Sequence, residues 1–141
     1  MLKKIASTLS VLVLSLIGMF SFGTDKARAD TLYFETEDGK YDNIISTSTR
    51  FPNVHVSVKE LIRTDGYGAA QAYPSQLTVR LCNRATLACT GFKSFSTYYN
   101  DYTVGLAKFY SMKVGTYNVD IRDKYTGQWV EGRNTASSSN N

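Results

Sequence analysis

The sequence carries one histidine, two cysteines, two prolines and one tryptophan in 141 residues, and each scarcity removes a class of answer. Two cysteines and a single His55 build neither a multi-cysteine zinc site nor a scaffold held by several bridges. No G-x-S-x-G, H-E-x-x-H or Gly-rich phosphate loop occurs, so His55 has no recognisable nucleophile motif to serve. Helical periodicity is missing after the first 29 residues, and its best stretch, Val56 to Arg63, is short and β-branched. The formal charge of +4 does not mark a nucleic-acid binder. Met1 to Ala29 holds Lys3, Lys4, Lys26 and Arg28 against Asp25, leaving 12 basic and 11 acidic residues, about +1, from Asp30 onward.

What is present begins with a leader. Met1-Leu2-Lys3-Lys4 is a positive start, an apolar stretch follows from Ile5 through Phe22, and Ala27-Arg28-Ala29 is an A-x-A site ahead of Asp30. These are the three parts of a secretory signal peptide, so we expect cleavage after residue 29 and a secreted, extracellular chain. The rival is an uncleaved anchor, since the stretch approaches spanning length. Ser7, Thr8, Ser10, Ser15 and Gly18 inside it argue for cleavage. The long leader and the lack of any N-x-S/T sequon favour a bacterial source.

In an oxidising compartment Cys82 and Cys89 are expected to pair. Both flanking segments alternate, and opposing Cys82 to Cys89 places Val79 opposite Phe92. Leu77, Val79, Leu81 and Phe92 would then share the inner face, with Arg80, Lys93 and both sulfurs outside. The chain-entropy relation gives such a short loop about 2.5 kcal/mol. A redox pair would need a C-x-x-C spacing, and a catalytic thiol would need a base other than His55.

Period-two alternation dominates the remainder. Val54, Val56 and Val58 oppose His55, Ser57 and Lys59, while Tyr117, Val119 and Ile121 oppose Asn118, Asp120 and Arg122. Turn signals recur at Asp38-Gly39, Asp65-Gly66, Gly91, Gly115 and Thr126-Gly127. Strands are expected near 31–36, 43–50, 54–62, 77–83, 88–96, 102–110, 115–122 and 127–132. The fold class is therefore all-β, a small antiparallel β-sandwich over 30–133, followed by a polar flexible tail over 134–141. Gly115-Thr-Tyr-Asn-Val119 resembles the G-x-Y step of immunoglobulin-like sandwiches, which implies that the Tyr117 hydroxyl turns back to the backbone.

Three groups of residues are candidates for function. Glu35, Glu37, Asp38 and Asp42 surround Gly39, but without the D-x-D-x-D order of a calcium loop they read as a solvated turn, and no metal or cofactor is expected. Arg80, Arg84 and Lys93 form a candidate basic patch for an anionic polymer. Ten tyrosines are the most unusual feature. Tyr98, Tyr99 and Tyr102 in one segment, with Tyr67 and Tyr73 in the irregular stretch 65–75, are candidate ligand contacts. Tyrosine gives large contact area at small entropy cost. The expected function is a non-catalytic recognition module acting on an extracellular protein or cell-wall polymer, without nucleic acid. The alternatives are a membrane-active toxin-like protein, the one reading with membrane contact, and an inhibitor of a secreted hydrolase.

Overall fold

The computed structural model describes residues 30–141; the leader expected over 1–29 lies outside them. Ten strands form two antiparallel sheets. One has the order β1 (Thr31–Glu35), β10 (Trp129–Ser139), β3 (Asn53–Thr64), β8 (Asp101–Phe109) and β7 (Ser96–Tyr98), with β4 (Ala69–Gln71) also paired to β3. The other has the order β2 (Asn43–Thr47), β9 (Gly115–Asp123), β5 (Leu77–Asn83) and β6 (Lys93–Ser94). Both sheets contribute to one apolar cluster, in which Val54, Val56, Val58, Leu77, Val79, Leu81 and Val119 are fully buried.

That cluster follows directly from the alternation. Inward valines and leucines lose their hydration while His55, Ser57 and Lys59 stay on the other face. The period breaks once in β3, where Glu60 takes a positive φ of 55° and the register against β10 shifts between Glu131 and Arg133. This bulge lets Leu61, rather than residue 60, follow Val58 into the core. Gly132 faces the bulge, and a Cβ there would meet Leu61 Cδ2 at 2.7 Å. As the five-residue resemblance implies, Tyr117 Oη donates to the Lys113 carbonyl at 2.8 Å.

Three expectations need correction. Residues 134–139 are no flexible tail, because they continue β10 and pair with β3 through Ser139, and Asn134 and Thr135 pair with β1 as well. The segment 88–96 is not one strand: β6 pairs with β5, then the chain crosses at buried Phe95 into β7 of the other sheet. The stretch 65–75 is also more ordered than its sequence suggests, since it contains β4 and leads into a 3₁₀ turn at Pro74–Gln76.

Candidate functional site: a tyrosine-rich loop end

Antiparallel connection places successive loops at alternate ends of the strands. The register puts Trp129 opposite Thr64, Leu77 opposite Asp123 and Tyr98 opposite Asp101. Loops 36–42, 65–68, 72–76, 99–100 and 124–128 therefore share one end. Direct contacts tie three of them, 36–42, 72–76 and 124–128, at the end of β9. Lys124 Nζ donates to Ser75 O at 3.0 Å, Gln76 Nε2 donates to Tyr125 Oη, and Thr36 Oγ1 donates to the Asp123 carboxylate.

All five candidate tyrosines lie at this end, with Tyr41 and Tyr125 beside them. Tyr67 is 99% exposed and Tyr99 91%, whereas an ordinary strand tyrosine is half covered. Their supports differ. Asp65 Oδ1 accepts the N–H groups of Tyr67 at 2.9 Å and Gly68 at 3.1 Å, which fixes the β3–β4 turn. The same two bonds hold the Asp65 carboxyl below its usual range. Tyr73 opens the 3₁₀ turn, and its N–H donates to Gln76 Oε1 at 2.8 Å. Pro74 in that turn presses on Gly105 of β8. Tyr98 pairs with Asp101 across the two-residue tip Tyr99-Asn100. The β7–β8 register then jumps to Thr97 opposite Gly105, which leaves Tyr102 in the irregular step. Asp101 accepts from the backbone and hydroxyl of Thr103, and both bonds depress its carboxyl pKa.

A groove of about 530 Å³ opens beside these loops, between the 36–41 turn and strands β5 and β9. Lys40 and Tyr41 line it from the turn, and Arg80, Asp120 and Arg122 line it from the strands. Arg80 Nε donates to Asp120 Oδ2 at 2.7 Å, and Arg122 holds the same carboxylate through Nε and Nη2. Both guanidiniums also stand over the Phe92 ring, at 4.7 and 5.4 Å from its centre. The row offers a shared acceptor between two donors, with an aromatic face at its side. Sequence reasoning singled out neither Asp120 nor Arg122 as a site, although their alternation already placed them on one face.

The basic patch is not assembled as expected. Val79 pairs with Lys93 rather than Phe92, because one extra residue lies between that pair and the Cys82–Cys89 bridge on the β6 side. The slip turns Phe92 outward, to 43% exposure and the two arginines. Lys93 points elsewhere, donating to Lys108 O at 2.8 Å over the Phe109 ring. Arg84 sits in the turn after β5, at the opposite end from the tyrosine loops. The disulfide itself is present between Cys82 and Cys89, with Cys82 buried and Cys89 exposed.

Two further groups sit apart from this end or beneath it. His55 lies on the outer face between Ser137 and Lys108, and its pKa is lowered by burial and then by Lys108. Asp42 is no solvated turn residue. It is buried, accepts the Ile121 N–H at 2.6 Å, and is pushed up to about 7, foremost by burial, with Asp38 and Asp120 adding and the Ile121 bond opposing. No family model and no curated protein sequence matches this chain.

Proposed function

We propose that this chain is a small exported recognition module, an immunoglobulin-like sandwich released from its leader, which acts by binding rather than by catalysis. The observation that carries the reading is the collection of Tyr67, Tyr73, Tyr98, Tyr99 and Tyr102 at one loop end, with the first and fourth almost fully exposed. Exposed aromatic rings on pinned turns are costly to hydrate and lose little freedom on contact, which is the property of a binding surface. The Arg80–Asp120–Arg122 row beside them supplies polar partners for a hydroxyl-rich or mixed-charge ligand. The partner class is an extracellular protein or a cell-wall polymer.

Retention of the chain from Asp30 onward on washed envelope fractions and wall polysaccharide tests the reading. Tyr67→Ala and Tyr99→Ala are each expected to weaken retention at least fivefold with the melting temperature unchanged, since neither ring is packed. Equal retention of wild type and both variants rejects it.

A further inference from the structure

The other end of the molecule has the opposite character. Loops 48–52, 84–92 and 110–114 meet there, tied by Met112 N–H to Pro52 O at 2.8 Å and Arg84 N–H to Thr116 O at 2.9 Å. These loops contain Arg50, Arg84 and Lys113, all exposed, and no Asp or Glu. At the tyrosine end, loops 36–42, 65–68 and 124–128 carry exposed Glu37, Asp38 and Asp65 against Lys40 and Lys124, with Asp42 buried beneath them. A net charge near zero after the leader thus conceals two poles of opposite sign. The register brings Asp30, just ahead of β1, toward this pole, and Lys108 on β8 keeps cations in the majority there.

The basic pole also exposes apolar tips. Leu87 is 78% exposed, Val114 62% and Tyr110 59%. Leu87 is held out by a turn in which its own N–H donates to Asn83 O at 2.8 Å and the Cys82–Cys89 bridge closes the base. A binding site for a soluble polyanion has no use for exposed aliphatic side chains among its cations. An anionic bilayer surface uses both, cations for headgroups and short apolar side chains for the interface below them.

We propose that this pole docks on anionic lipid. The proposal does not rest on the tyrosine end, which lies at the far end of β3. Twelve residues of that strand, at about 3.3 Å each, separate the poles by roughly 35–40 Å. A molecule seated on lipid by Arg50, Arg84 and Lys113 then holds its tyrosine loops away from the surface.

Vesicle co-sedimentation tests this, using the chain from Asp30 onward, which contains both sheets of the described residues and the apolar cluster between them. The probe is vesicles of phosphatidylcholine with 30% phosphatidylglycerol, compared with pure phosphatidylcholine. Binding is expected on the anionic vesicles alone and is expected to fall as salt rises. The triple variant Arg50→Gln, Arg84→Gln, Lys113→Gln should lose partitioning on the order of a hundredfold. The pair Leu87→Ser, Val114→Ser, at unchanged charge, should lose about tenfold, while Lys40→Gln with Lys124→Gln should lose nothing. Equal binding to both vesicle types, or an unaffected triple variant, overturns the proposal. So does a Leu87→Ser, Val114→Ser variant that binds vesicles as wild type does while soluble polyphosphate competes fully, since the pole would then be a polyanion site.

Discussion

Asn43 Nδ2 donates to Asn134 Oδ1 at 2.8 Å, joining the second strand of the chain to its last across the two sheets. Asn134 returns its own amide to Asp42 O at 3.1 Å, and the residue is 1% exposed. Buried amides of this kind stabilise only while every partner is in place.

Asn134→Ala therefore strands the Asn43 donor and the Asp42 carbonyl together. The expected cost is about 2–3 kcal/mol, read from urea unfolding. A chain ended after Arg133 loses this bond and the β10 pairing with Val54 to Val58, and is expected to show no cooperative transition. A cooperative transition in that truncation would restore the view of 134–141 as a dispensable tail.

Asp42 gives the fold a distinct pH response. Its ordinary value of 3.8 is raised to about 7 in the folded chain, so the native state binds more protons than the unfolded one between those limits. Stability from this group is full below about pH 4 and is lost as pH rises through 7. Asp42→Asn keeps an acceptor for Ile121 N–H and removes the titration. The difference in unfolding free energy between variant and wild type should move toward the variant by roughly 2–4 kcal/mol from pH 4 to 8. A flat difference across that range contradicts the assignment.

Gly105 sits where β8 passes under the 3₁₀ turn, and a Cβ there would stand 2.5 Å from Pro74 Cβ and 3.0 Å from Phe95 Cβ. Gly105→Ala is expected to cost about 1–3 kcal/mol in thermal or urea unfolding. It should also loosen the 72–76 turn that carries Tyr73, seen as faster amide exchange there while the Tyr67 turn keeps its rate.

Much of this fold is written as alternation. The valines of β3, Leu77-Val79-Leu81 in β5 and Tyr117-Val119-Ile121 in β9 each place one face inward, and the strands stand where those patterns stand. Alternation fails where the inward side chains are small or polar. On β10 the buried positions after Val130 are Gly132, Asn134 and Ala136, which carry no hydrophobic signal although the strand is central to its sheet. A single extra residue before Lys93 was equally invisible and reversed the face of Phe92. The candidate tyrosines could be named from composition, but their assembly at one end depends on long-range topology. Charge sums hide the two poles for the same reason, since only the strand order says which loops are neighbours.

The place of β10 also governs when the molecule can assemble. β1 and β3 do not pair with each other; each pairs with β10, which comes 94 residues after β1 ends. That part of the sheet cannot close until β10 is available. Such non-local pairing slows folding toward the millisecond-to-second range, so this sheet stays open for as long as β10 is withheld.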